Sequence, residues 1–390
     1  MFGRNLRSKE MERMKVKFAN SSDTEKINLT PLFPDDQIEE VTQGLREPFY
    51  EVYKGDARRL SNLPDNCVDL VVTSPPYWRK RDYGFEQQIG QEQTSEEYVA
   101  AIIAAMAEWR RVLRPSGSIF LNIGDTYWQK SLQGIPSLIE ASARRANWLL
   151  RNRIIWMKEG GMPDPVRDRL AGRHEYILHF ATNGYYYDLF GYAERYSLEQ
   201  KGANPGDVWK IAPQRNLGKH LAPFPSEIVE RVITLACPLS VCTACSKPRQ
   251  RIVERTMELD NSRPQARRAL EIALEKKLTP EHIAAIQATG ISDAGKARLV
   301  QSGTDRNAIH IQKLALEAKA ALGGYFREFT FAKRKSCGWT NCGCGVPFTS
   351  GVVLDPFTGT GTTLEVARRM GRSAIGVDLD LSQVEELSKR

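Results

Sequence analysis

Apolar residues recur in two distinct rhythms along this chain. Residues 51–54 form a short β-prone run that stops at Gly55-Asp56, and Val68-Asp69-Leu70-Val71-Val72 reads as a buried strand. Residues 95–113 then carry Val99, Ile102, Ile103, Met106, Trp109, Val112 and Leu113 at helical spacing, with Pro115 and Gly117 as stop signals. A strand over 118–123, a helix over 136–150 and strands over 153–157 and 175–181 follow, the last with 185–188 as a hairpin partner. A helix over 224–236 closes this part, opened by Pro225 and Ser226. After residue 350 the strand rhythm returns at 352–354 and 373–377, with a helix to about 370 between them. The expected fold class is α/β. Residues 1–46 are polar, lack periodicity and read as an N-terminal arm.

The stretch 237–346 breaks this alternation. Helical patterns over 264–278, 280–288, 293–300 and 308–322 suggest a small helical insertion, with Gly290 in a turn as in a helix-turn-helix. A structural helical cluster fits the same pattern. The stretch holds 18 Lys and Arg against 10 Asp and Glu, an excess equal to the net charge of +8 for all 390 residues. A basic excess fits an acidic partner, nucleic acid first. The expected domains are therefore the arm, a catalytic domain over 47–236 and 347–390, and the insertion. No apolar run of membrane-spanning length occurs and the start lacks a secretory apolar region, so a cytoplasmic location is expected.

Six of the seven cysteines fall near the borders of the insertion. Cys242 and Cys245 stand at its start and Cys337, Cys342 and Cys344 at its end. Paired thiolates from distant segments are what a tetrahedral zinc site requires, with Cys337 able to replace one of the late pair. Cys67 reads as a core residue.

Two motifs carry the chemistry. Thr73-Ser74-Pro75-Pro76-Tyr77 ends the buried strand, because neither proline can donate to a ladder. It leaves a hydroxyl, a proline carbonyl and an aromatic ring at a strand's C-terminal end, where open α/β sheets bind ligands. These groups suit a planar exocyclic amine, whose two N–H bonds need acceptors and whose ring can stack. The loop 78–84 mixes aromatic and basic residues, as nucleic-acid contacts do. The second motif is Asp355-Pro356-Phe357-Thr358-Gly359-Thr360-Gly361-Thr362-Thr363, a glycine turn between strand and helix, with Asp378 ending the next strand. It reads as a nucleoside site, since an acid about 20 residues on can take ribose hydroxyls. Neither the third glycine of the dinucleotide fingerprint nor a Walker lysine is present.

Together these motifs resemble the β group of amino-methylating DNA methyltransferases, in which the catalytic motif precedes the cofactor motif. The likeness covers roughly 48–236 and 347–390, and the insertion resembles those of phage-type members. It implies a Rossmann-like sheet, S-adenosylmethionine as cofactor and double-stranded DNA as partner, with room for a cognate restriction endonuclease and a prokaryotic or phage origin. It implies catalysis by Ser74, Pro75, Pro76 and Tyr77. For the cofactor it implies Asp56, Thr73, His220, Phe224, Asp355, Pro356, Phe357, Gly359, Gly361, Thr362 and Asp378. The segments 207–209 and 219–225 would complete the cofactor pocket, and target recognition would fall in 127–204, in the insertion, or in both. Serine before Pro-Pro-Tyr leans to cytosine N4 in that family, with adenine N6 as the alternative. A glutamine methyltransferase disagrees with the serine and the motif order, and a silent zinc-containing DNA-binding module leaves the paired motifs unexplained.

Overall fold

The computed structural model describes residues 13–14, 45–160, 166–197, 204–213, 225–290 and 306–385. In chain order, β1 is Arg13–Met14, β2 Tyr50–Lys54, β3 Val68–Thr73, α1 Ser95–Val112 and β4 Leu113–Ile123. A small hairpin, β5 Tyr127–Trp128 and β6 Ser131–Leu132, precedes α2 Ile135–Arg145, β7 Leu149–Lys158 and β8 His174–Ala181. Then come α3 Leu189–Tyr196, β9 Val208–Ile211, α4 Ser226–Ala236 and β10 Val241–Cys242. The inserted elements are β11 Arg251–Arg255, α5 Pro264–Glu275, α6 Pro280–Thr289, α7 Arg306–Leu322, α8 Phe326–Thr330 and β12 Arg334–Trp339. The chain returns through β13 Phe348–Thr349, β14 Val352–Asp355, α9 Thr362–Arg369, β15 Ser373–Asp378 and α10 Ser382–Glu385. Two compact units result, one of 1–250 with 339–390 and one of 251–338.

The first unit is built on a nine-stranded sheet in the order β1-β2-β15-β14-β3-β4-β8-β7-β9. Strands β2, β15, β14, β3 and β4 run parallel, and β8 lies antiparallel between β4 and β7. Side chains alternate across this sheet and feed two cores. Ile119, Leu121, Val352, Leu354, Ile375 and Val377 face α1 and α2. Phe120, Val353 and Ala374 face α4 and α9. The α/β class follows from these two covered faces.

One irregularity sets the register at the centre. The β3–β4 pairing shifts between Val68 and Leu70. There the buried Asp69 accepts from the Val352 backbone amide at 2.8 Å and pairs with Arg114. The carboxylate thereby ties β3 to the first residue of β14, and burial raises its pKa despite the arginine.

Several boundaries differ from expectation. Pro115 does not separate helix from strand, because β4 starts directly at Leu113. The helix expected over 136–150 ends at Arg145, where Asn147 takes a positive φ of 59° and β7 begins at Leu149. Residues 185–188 form no strand. Tyr187 and Phe120 instead sandwich the ring of buried His179, with Tyr185 edge-on. Desolvation in that stack pushes the His179 pKa down to about 3, so the ring is neutral.

The second unit packs α5, α6, α7 and α8 around Ala266, Ala269, Ile283, Ile286, Ala318, Leu322 and Phe329. Strands β11 and β12 pair with each other. Gly290 caps α6 with a φ of 64°, and the helix expected over 293–300 lies outside the described residues. Among the described residues no helix is long and apolar enough to cross a membrane.

Candidate active site

The connections out of β3 and β14 leave in opposite directions. The first leads through α1 to β4 on one side, and the second through α9 to β15 on the other. Adjacent parallel strands that diverge in this way open a crevice at their C-terminal ends. Thr73-Ser74-Pro75-Pro76-Tyr77 leaves β3 at that crevice, and the glycine turn leaves β14 beside it.

Asp355 clasps the two motifs together. Its Oδ1 accepts from the Thr73 hydroxyl at 2.7 Å and from the Phe357 amide at 3.1 Å, and its Oδ2 accepts from the Thr363 hydroxyl at 2.6 Å. The residue is 1% exposed. Burial pushes its pKa up to about 6, against the pull of the two hydroxyls. This carboxylate is turned inward, where it shapes the turn. Gly359 and Gly361 adopt φ of 50° and 79°, a conformation that side chains resist. Asp378 continues the clasp, accepting from the Gly359 amide at 2.7 Å and from the Asp380 amide at 3.1 Å. Its pKa is raised by burial. Phe357 rests edge-on against Trp109 of α1.

In the Pro75-Pro76 pair the two carbonyls differ. That of Pro76 accepts from the buried Tyr98 hydroxyl at 3.0 Å. That of Pro75 has no donor among the described residues. Beneath them lies a polar network that sequence reasoning missed. The Tyr77 hydroxyl donates to Glu175 Oε2 at 2.6 Å, and Lys158 pairs with Oε1 of the same carboxylate. Asn122 Nδ2 donates to Tyr77 Oη at 2.9 Å, to Glu175 Oε2 at 3.1 Å and to Ser74 Oγ at 3.3 Å. Desolvation first, then the Glu175 charge, raises the Tyr77 pKa well above the usual range. Gly124 underlies the ring, where a Cβ would meet Tyr77 Cε2 at 2.8 Å. Asn122 was detectable as a polar residue inside an apolar strand, whereas Glu175, from a distant antiparallel strand, left no such signal.

The rim next to Tyr77 is aromatic and basic. Buried Trp78 meets Trp128 of the β5–β6 hairpin edge-on, and the Arg79 guanidinium lies 4.2 Å from the Trp128 ring centre. Arg169 stacks on Tyr127 at 3.9 Å. Tyr127, Trp128 and Leu132 are exposed. The hairpin turn uses Gln129 and Lys130, both at positive φ.

Asp56 lies at the same sheet edge, since the Gly55 amide bonds to the Asp378 carbonyl. A cavity of about 520 Å³ is lined there by Asp56, Arg58, Arg59 and Gln87. The Asp56 carboxylate is held by Arg58 through a 2.6 Å ion pair and a 2.8 Å backbone bond. His220 and Phe224 lie outside the described residues.

The sulfurs of Cys242, Cys245, Cys342 and Cys344 all lie within 4.8 Å of one another. Pairing of β10 with β13 and a 2.7 Å bond from the Thr243 hydroxyl to the Pro347 carbonyl bring the two segments together. Ser246, Gly343 and Gly345, all at positive φ, turn the chain around the sulfurs. The Cys245 amide leads the groups that draw the Cys242 thiol down to about 6, and the neighbouring thiols, Cys342 first, push Cys344 up to about 12. Cys337 stands outside this group, which corrects its expected role as a substitute ligand. It sits in the second unit, on β12.

Comparison with known proteins agrees with this geometry. The N6/N4 family profile, described as DNA methylase, matches residues 68–239 and 347–389. The Type II methyltransferase M.XycI of Xanthomonas campestris pv. cyanopsidis is 34% identical over 214 residues, which is 47% of this chain and 71% of that protein. M.MwoI of Methanothermobacter wolfeii is 39% identical over 176 residues, 44% of this chain but 24% of that longer protein. Among solved structures, the PvuII DNA methyltransferase (cytosine-N4-specific) aligns over 88% of each chain with 16% identity and a TM-score of 0.49. Matched by the profile over more than half its length, with the Thr73–Tyr77 and glycine-turn motifs inside the matched residues, the chain belongs to the N6/N4 DNA methylase family.

Proposed function

We propose that this enzyme transfers a methyl group from S-adenosylmethionine to the N4 amine of cytosine in duplex DNA, with the base flipped out of the helix. The observation that carries the reading is the placement of Ser74 and the Pro75 carbonyl beside the glycine turn, clasped through Thr73 and Asp355. Two acceptors at that point would draw the amine nitrogen toward tetrahedral geometry, and the Tyr77 ring would stack on the base. The nitrogen attacks the methyl carbon in line with the departing sulfur, so positioning supplies much of the acceleration.

For the cofactor, Asp378 retains lone pairs for ribose hydroxyls, while Pro356, Phe357, Gly359, Gly361 and Thr362 form the wall against which a nucleoside fits. Asp56, Thr73 and Asp355 would support that wall, and His220 and Phe224 join it on the resemblance alone. The exposed β5–β6 hairpin and Arg79 would face the DNA. Serine in place of an acid favours cytosine N4 over adenine N6, which the same family also includes. Digestion of methylated DNA to nucleosides and mass spectrometry tests the reading: N4-methylcytosine is expected, and N6-methyladenine as sole product would overturn the base assignment. Ser74→Ala should lower kcat more than cofactor or DNA affinity, because the lost contact strengthens at the transition state.

Four cysteine sulfurs at tetrahedral spacing also fit a structural zinc ion. With Zn–S bonds of about 2.3 Å, tetrahedral sulfurs stand roughly 3.8 Å apart, compatible with this group. Such an ion would hold the segments that flank the insertion.

A further inference from the structure

We propose that Glu175 is the proton acceptor of the transfer reaction, reached through the hydroxyls of Tyr77 and Ser74. The inference rests on the amine reading above and goes beyond it by naming the base. When the amine nitrogen bonds to the methyl carbon, the carbon–sulfur bond breaks and its electron pair stays on sulfur. The nitrogen is left cationic and must lose an N–H proton. Serine cannot retain that proton at neutral pH, so a site built on Ser74 needs an outlet.

The network supplies one with a fixed direction. The Asn122 amide nitrogen lies 3.3 Å from Ser74 Oγ and 2.9 Å from Tyr77 Oη, which gathers the two hydroxyls around one donor, and the Tyr77 hydroxyl donates to Glu175 at 2.6 Å. Asn122 Nδ2 donates to both hydroxyl oxygens and to the carboxylate. A carboxylate only accepts, which identifies the Asn122 atom facing it as the nitrogen. The two amide hydrogens are shared among these three acceptors, and the Tyr77 hydroxyl proton points to Glu175. An aspartate at position 122 would accept instead and undo that order.

The step balances. The amine proton passes to Ser74 Oγ, the Ser74 proton to Tyr77 Oη, and the Tyr77 proton to Glu175 Oε2. The products are a neutral methylated amine, a thioether, two restored hydroxyls and a neutral Glu175. Among the described residues, three groups bond to this carboxylate: Lys158 from β7, Tyr77 from the loop after β3 and uncharged Asn122 from β4. The Glu175 side chain is 15% exposed, so the proton can then leave to water.

A simpler role, in which Glu175 only holds the Tyr77 ring in place, is separated by single-turnover methyl transfer measured from about pH 3.5 to 9, a range that includes ordinary carboxylate protonation. Wild-type enzyme should show an acid limb, with the rate falling as Glu175 is protonated. Glu175→Gln should be slower by at least about tenfold and should lack that limb, with DNA and cofactor affinities within about twofold. Tyr77→Phe keeps the ring and breaks the relay. It should show a similar loss, and the combined variant should be no slower than Tyr77→Phe. A Glu175→Gln enzyme as fast as wild type, or slower by one factor at every pH with the limb intact, overturns the route while the amine reading stands. A wild-type protein that transfers no methyl group to DNA overturns both.

Discussion

Asp355 shows how one side chain can shape a site through bonds inside the protein. Three donors inside the protein take its oxygens, yet desolvation still outweighs them and raises its pKa to about 6. A folded-state pKa above the unfolded value means that the folded protein holds the proton more tightly. This group's contribution is therefore complete below about pH 4 and is lost as pH rises through 6, a cost on the order of 3 kcal/mol at neutral pH. Asp355→Asn removes the charge, keeps an acceptor for Thr73 and Phe357, and offers Thr363 a donor. The stability difference between variant and wild type should shift in favour of the variant between pH 4.5 and 7.5, read from thermal melts at several pH values. A variant that loses several degrees relative to wild type at pH 7.5 would show that the ionised form is the stable one. Gly124 gives a second test at this scale. An alanine methyl there would stand 2.8 Å from the Tyr77 ring. Gly124→Ala should tilt that ring and cut turnover by about one to two orders of magnitude, with little change in cofactor affinity. Unchanged turnover would mean that the ring position is not critical.

Elements differ in how far the sequence reveals them. Strand β3 was readable because all six of its residues are buried and four are apolar, and the Pro-Pro pair marks where it stops. The glycine turn was readable because only glycine tolerates its backbone. Pairings across long sequence distances were not, since nothing local links Glu175 to Tyr77 or Asp69 to Val352. The end of α2 was misjudged because apolar Trp148 and Leu150 continue the helical rhythm, although Asn147 breaks it with a left-handed backbone. The cysteine turns were legible as spacing, and the structure selected four sulfurs and left Cys337 out. At this scale we expect one zinc per chain by elemental analysis of protein purified without chelator. Removing it should lower the melting temperature and expose the Cys245 and Cys344 thiols to labelling reagents. Full metal content in a Cys242→Ser, Cys342→Ser double variant would refute these ligands.

At the scale of the whole molecule, charge and catalytic machinery occupy different parts of the chain. The net +8 is contained in 237–346, and 240–346 is the gap between the two stretches matched by the family profile. The helical unit within it has its own small core, so its basic residues are not needed to fill the methyltransferase fold. Lys333, Arg334 and Lys335 are exposed in succession at the start of β12. Each phosphate that such a residue neutralises releases condensed counterions, which gives a slope of about −0.9 per contact in a plot of log affinity against log salt. If all three touch the DNA backbone, their replacement by alanine flattens the slope by up to roughly 2.7 and weakens binding to every sequence alike. Methyl transfer under saturating DNA should change little, because all three lie outside the residues matched by the family profile. Fluorescence titration of a DNA duplex at several salt concentrations measures both slopes. An unchanged slope in the triple variant would assign these charges to solvation of the helical unit and leave the phosphate contacts to the catalytic unit, where Arg79 and the β5–β6 hairpin are the next residues to test.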